Sequence, residues 1–262
     1  MQSLIIQILK QEMKIVLSED NKKIVVLGIF PLAGKTETVI KKEIESALKE
    51  LKIKKDPIII LPEPGFFPNS ENWRLSKKQI SLIRAKASFE VSRGHFNKRR
   101  TYLLLEIGDS VSLCAVEKDK QTHIKESILN RMVADFREAI SEPHESRYLQ
   151  DFCSNHFFFK KTGKSALEIY AKLQDNPANS AELFVEYGAN MGALLANLDT
   201  IFEPNCIAIT GSLAQTFDAW SHAMGKTRNY HRGKKPACRI VPLKDKTNSA
   251  ILGTISVTDF NY

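Results

Sequence analysis

Residues 183–220 read LFVEYGANMGALLANLDTIFEPNCIAITGSLAQTFDAW, and two periodicities in this stretch decide the fold. Leu183, Tyr187, Met191, Leu194, Leu195, Leu198 and Ile201 recur at helical spacing and define one apolar face. Gly188, Ala189, Gly192, Ala193 and Ala196 are small enough for a second backbone to approach closely. Pro204 ends the helix, and CIAIT follows as a short buried strand that stops at Gly211-Ser212. A further helix is predicted from about Leu213 to Met224. The chain therefore alternates helix and buried strand here, the pattern of a layered α/β domain.

Working outward, TRNYHRGKK (227–235) reads as a basic loop, RIVPL (239–243) as a strand and NSAILGTISV (248–257) as a glycine-containing segment. Upstream, TYLLLEIG (101–108) and VSLCAVEK (111–118) form a predicted hairpin turning at Gly108-Asp109-Ser110. Residues 126–174 read as mostly helical, with Phe157, Phe158 and Phe159 as core or interface. Nearer the N-terminus, MKIVLSED (13–20) and KKIVVLGIF (22–30) form another predicted hairpin, and 35–52 an amphipathic helix. PIIIL (57–61) is a buried strand, residues 62–68 a proline-rich loop, and 76–93 a helix with Ser76 as its N-cap. The same logic runs twice, which divides the chain into 1–100 and 101–262. A cleft between such halves is the expected place for a ligand.

Composition narrows the function classes. The 262 residues are 43% hydrophobic and 26% charged, a globular mix, with no run of 18 apolar residues to span a membrane. The N-terminal apolar stretch is too short, and too poor in basic residues, for a secretory signal. Cys114, Cys153, Cys206 and Cys238 are widely spaced with no CxxC, so neither a zinc site nor a disulfide framework is expected, and the chain reads as cytoplasmic. The net charge of +8 is scattered in short clusters, the pattern of a solvated surface rather than a nucleic-acid face.

IVVLGIFPLAGKTE (24–37) approaches a phosphate-binding P-loop, but five residues separate Gly28 from Gly34 where the motif has four. Ile29 stands where glycine is needed, and its side chain would crowd a phosphate. The stretch is read as a strand running into a helix.

Residues 183–220 with 240–257 resemble the ROK family of repressors and sugar kinases, within the actin-like ATPase superfamily. The resemblance implies an α/β fold of two ribonuclease-H-like lobes with a cleft between them. Residues 101–116 are similar to the family's phosphate hairpin, which places Gly108, Asp109 and Ser110 on the nucleotide side together with Gly211 and Ser212. Residues 64–75 are similar to a family segment that approaches the sugar, and residues 83–90 and 148–173 to further family segments; Asn69, Glu90, Glu126 and Gln150 are the sugar-side candidates of this resemblance.

The same comparison shows what is missing. The first phosphate loop, DIGGTK in the family, is matched by Leu9 to Lys14 (LKQEMK), without its glycines. The family's catalytic aspartate falls on Arg84, which is always protonated and cannot act as a general base. The zinc ligands are absent: 126–150 holds His144 but no cysteine, and Tyr148 stands at a ligand position. The resemblance therefore implies a catalytically degenerate sugar-kinase-like protein, with no metal site and a sugar or nucleotide as ligand. The alternative is an active ATP- and magnesium-dependent hexose kinase that uses Asp109 or Glu106 for the metal and Glu90 or Glu126 for sugar hydroxyls. A homodimer is expected by analogy. Nucleic acid and membrane partners are not expected, because the chain starts almost at the first hairpin and leaves no room for a helix-turn-helix domain.

Overall fold

The computed structural model describes residues 3–8, 12–19, 23–32, 35–52, 57–61, 78–93, 100–117, 120–124, 129, 132, 134, 148–173, 177–233, 238–243 and 249–256. The chain forms two compact units, one of residues 1–96 with 246–262 and one of 97–245. A single cut at residue 100 misses this return of the C-terminus to the N-terminal unit.

The N-terminal unit holds a five-stranded sheet in the order β3-β2-β1-β4-β5. Its strands are β1 (Ser3–Ile8), β2 (Glu12–Glu19), β3 (Lys23–Pro31), β4 (Ile58–Leu61) and β5 (Lys78–Ser81). The expected hairpin is a three-stranded meander, because SLIIQI is itself a strand antiparallel to β2. Leu4, Ile6 and Ile8 of β1 face helix α1 (Glu37–Glu50), while Ile5 faces the opposite core. Burial on both faces explains why this strand has no polar alternation to read. The predicted helix over 76–93 is shorter: Lys78–Ser81 pairs parallel with β4, and α2 (Leu82–Ser92) begins only after Ser81. Ser76, the expected cap, lies outside the described residues. The glycine-containing tail is helix α8 (Ser249–Ser256), whose Ala250 and Ile251 share a core with Leu82 and Ala85 of α2. The P-loop-like stretch is the exit of β3 toward α1, and Lys35 is bound to Glu43 Oε1 at 2.5 Å.

The C-terminal unit holds a second five-stranded sheet in the order β10-β9-β6-β7-β8. It comprises β6 (Tyr102–Ile107), β7 (Val111–Glu117), β8 (Lys120–Ile124), β9 (Cys206–Thr210) and β10 (Arg239–Pro242). Here too the hairpin gains a third strand, β8, antiparallel to β7. Among the described residues the helices α3 (Leu149–Cys153), α4 (Asn155–Thr162), α5 (Ala166–Ala171) and the long α6 (Pro177–Phe202) follow. Helix α7 (Phe217–Arg232) comes after a 3-10 turn over Ser212–Thr216.

Helix α6 buries Phe184, Tyr187, Met191, Leu194, Leu195 and Leu198, whereas Ile201 is 63% exposed and so lies off the predicted face. Its small residues meet α7: a Cβ on Gly192 would stand 2.6 Å from the carbonyl oxygen of Met224 and 2.8 Å from Cβ of Thr227. Phe157 and Phe158 are core residues, packed edge to face at 5.1 Å, and Phe159 is exposed.

The expected basic loop at 227–235 is helical as far as Arg232. Arg228 is buried, its Nε and Nη2 donating to Asp199 Oδ2 and Oδ1 at 2.7 and 2.8 Å. Its Nη1 donates to the Cys238 carbonyl at 3.1 Å. One side chain thus ties α6, α7 and the start of β10, and is withdrawn from any surface patch. Removing one member of such a pair strands the other charge in the interior. Arg228→Met is expected to lower unfolding stability by about 3 kcal/mol. Arg228→Met combined with Asp199→Leu is expected to recover part of that loss, as urea titration of the three proteins would show.

Candidate functional site

In the C-terminal unit β6, β9 and β10 run parallel, so their carboxyl ends lie on one edge of the sheet. β7, on the other side of β6, is antiparallel to it. Ligands of open α/β sheets bind outside the carboxyl ends of the parallel strands. The segments leaving β6 and β9 at this edge are Gly108-Asp109-Ser110 and Gly211-Ser212.

The structure brings these five sequence-predicted residues together. A Cβ on Gly108 would stand 3.3 Å from Ser212 Oγ. A Cβ on Gly211 would fall on the carbonyl oxygen of Ile107, the last residue of β6. Gly211 has φ +97 and ψ −179, a region that is essentially glycine's alone. The turn closes on itself: Gly108 N–H donates to the Ser110 carbonyl at 3.0 Å, which removes one amide from those that could meet a ligand. Asp109 is exposed at its tip.

Asn155, which the sequence reading did not single out, organises this turn. It is 7% exposed and sits at the start of α4. Its backbone N–H donates to the Gly108 carbonyl at 2.8 Å, and its Nδ2 donates to Asp109 Oδ1 at 3.1 Å. The local signal was Ser154-Asn155 ahead of three phenylalanines, a helix start. Ser154 does cap α4, accepting from His156 N–H at 3.1 Å. The partner at Asp109, 46 residues away, leaves no trace in local spacing.

Gln150 lies on α3, with Nε2 3.2 Å from a ring nitrogen of His156 and its carbonyl accepting from Ser154 Oγ at 2.7 Å. It therefore joins the same helix start rather than standing apart. Glu106, the other metal candidate of the kinase reading, is 3% exposed, in register between Ser112 and Thr210, themselves buried. Arg84 and Glu90 lie on α2 of the N-terminal unit, Arg84 half-buried and Glu90, a sugar-side candidate, 8% exposed. Asn69, Glu126, His144 and Leu9 to Gln11 lie outside the described residues. Tyr148 is exposed.

The four cysteines form no disulfide. Burial pushes the Cys153 thiol up to about 12, and burial with the adjacent Asp199 pushes Cys238 to about 12. Such groups hold negligible thiolate near neutrality. What remains at the edge of the sheet is a glycine-built turn pair, two serine hydroxyls and one fixed carboxylate.

No protein-family model and no curated protein matches the sequence. Solved structures do match. The ROK family glucokinase of Streptomyces griseus, in complex with glucose and AMPPNP, superposes with a TM-score of 0.69 at 13% identity, over 98% of this chain and 99% of its own. The ROK hexokinase of Thermus thermophilus superposes at 0.72 with 12% identity, over 98% and 97%. A ROK family transcriptional regulator, a homolog of the E. coli MLC protein, superposes at 0.73 with 13% identity, over 97% of this chain and 77% of its own. The fold is that of these ROK family structures.

Proposed function

We propose that this protein is a ROK-type sugar-kinase-like chain that has given up phosphoryl transfer and acts through ligand binding, regulation or assembly. One observation carries the reading: the turn at Gly108–Ser110 retains its glycine-built backbone but presents the Asp109 carboxylate, held by Asn155, where a phosphate would need donors. Phosphoryl transfer depends on positioning and on stabilising negative charge. A fixed carboxylate and a self-bonded amide oppose both. Arg84 at the position of the family's base adds a second loss, since proton abstraction by a positioned base is worth about 10²–10⁴ in rate. The residues present do not fit the triphosphate end of a nucleotide.

A sugar remains a reasonable ligand, since neutral hydroxyls suit a carboxylate and serine hydroxyls. Among the described residues no helix is long and apolar enough to cross a membrane, and no three His, Cys, Asp or Glu converge on a metal position.

The test is a coupled ADP-release assay with ATP·Mg and a panel of hexoses, run beside calorimetric titration of the same sugars. No sugar-dependent ADP release is expected. Sugar-dependent turnover would establish the active hexose kinase instead, with Asp109 or Glu106 serving the metal.

A further inference from the structure

Gln7 lies one residue before the end of β1, where β1 and its parallel neighbour β4 reach their carboxyl edge. Its side chain shares a sheet face with Ile5, whose core includes Val16, Ile58 and Ile60, while Ile6 and Ile8 serve the other face. Ile60 stands beside Gln7 in register on β4, and Lys14 directly opposite it on β2. Gln7 is 7% exposed. Among the described residues its amide has no hydrogen-bond partner, although side-chain amides this deeply placed are ordinarily paired. Lys14 does not supply one, because its ammonium turns along its own strand to Glu12 Oε1 at 2.8 Å. A second unpartnered group on the same face of β2, Ser18 Oγ, is sealed in the interior at the opposite end of the strand, opposite Ser3. The Gln7 amide is not sealed in this way and stands at the edge where ligands of parallel strands bind.

We infer that Gln7, with the Lys14–Glu12 pair, forms a hydroxyl-binding site at this edge of the N-terminal sheet, and that its ligand is a neutral sugar offering two adjacent hydroxyls. The inference rests on the reading above that the chain acts by binding, with a sugar as ligand. A primary amide presents a donor and an acceptor in one plane, which suits two neighbouring hydroxyls, one accepting and the other donating. Lys14 adds donors and Glu12 an acceptor, and their opposite charges stand 2.8 Å apart. The cluster therefore carries no net charge and favours a neutral polyol over an anion. The fold gains nothing from an amide that it leaves unpaired, and a polar group kept at a cost to stability is the mark of a residue retained for a ligand.

The experiment is calorimetric titration of the full chain with D-glucose, D-mannose and D-galactose, beside thermal melts of the same proteins. Wild type, Gln7→Met and Ser18→Ala are compared. Gln7→Met keeps the length of the side chain and removes both polar atoms. It is expected to melt at or above the wild-type temperature, and to bind whichever sugar wild type binds at least about tenfold more weakly, through the loss of two hydrogen bonds. Ser18→Ala removes the other unpartnered group and is expected to leave sugar affinity unchanged. Unchanged affinity in Gln7→Met would overturn the inference, as would a wild type that binds none of the three sugars. A Gln7→Met protein that melts lower or does not fold would overturn it as well, by showing that the fold itself uses the amide. Equal weakening in Ser18→Ala would do the same, by tying the effect to the whole sheet face rather than to its edge. The proposed loss of phosphoryl transfer is judged separately, by wild-type ADP release, so the two ideas fail on different readouts.

Discussion

Gly211→Ala is expected to destabilise the C-terminal unit by about 4 kcal/mol or more, a value in the range reserved for diagnostic substitutions. Two costs act together. The backbone at φ +97 and ψ −179 is one that side-chain-bearing residues avoid, worth of order 1–3 kcal/mol. The added methyl would also fall on the Ile107 carbonyl oxygen, with the carbonyl carbon at 2.9 Å and the amide nitrogen at 3.0 Å. None of these atoms is the end of a flexible side chain that can step aside. Relief requires the ends of β6 and β9 to part, although Glu106 and Thr210 pair there, two residues before Gly108 and one before Gly211. The Gly108–Ser110 turn would move with β6. Urea denaturation and a thermal melt read the loss directly. A melting temperature within about 2 °C of wild type would show that the two exits are not packed as described.

That close approach also explains which parts of the site could be read in the sequence. Glycine after a short apolar run marks a strand exit, so Gly108 and Gly211 were legible, as was the serine after the second of them. What cannot be read is a side chain that meets its partner across tens of residues. Asn155 holds Asp109 from the start of α4, and nothing in the spacing of either residue announces it. Arg228 failed for a related reason. Among arginine, histidine and lysine neighbours it looks like surface charge, yet Asp199, one helix away, draws it inside.

The fold shows the same division between local and distant signals. The 3.6-residue repeat and small residues of α6 placed both its buried face and its close contact with α7, because each property belongs to one continuous segment. Strands without alternation were missed or misread. β1 is buried on both faces and reads only as an apolar run. β5, KQIS, has little intrinsic strand preference and extends because β4 offers it a parallel partner. The return of the C-terminal segment to the N-terminal unit has no local signature, since the composition of α8 fits either unit.

That return makes a second large effect predictable. Gly253→Ala is expected to cost at least about 4 kcal/mol, and to do so in the N-terminal unit although the substitution lies nine residues from the last residue of the sequence. A Cβ at Gly253 would fall on the Ala85 carbonyl oxygen and stand 2.8 Å from the amide nitrogen of Phe89. Both belong to the backbone of α2, so α8 can accommodate the methyl only by lifting away. Lifting would expose Ala250 and Ile251, which are 1% exposed, and uncover Ile60, Ile80 and Leu82 of the same core. Overpacking of a core side chain ordinarily costs about 1–3 kcal/mol because neighbours shift rotamers, and a backbone oxygen has no rotamer to shift. Gly225→Ala supplies the control. This glycine also lies within a helix, but a Cβ there meets nothing within 4 Å. Helix propensity alone then acts, and the substitution should gain up to about 1 kcal/mol. Hydrogen exchange resolves where the damage falls: in Gly253→Ala, protection should drop in β1, β4 and α2 and persist in α6 and α7. Equal loss in α6 and α7 would assign the C-terminal helix to the wrong unit.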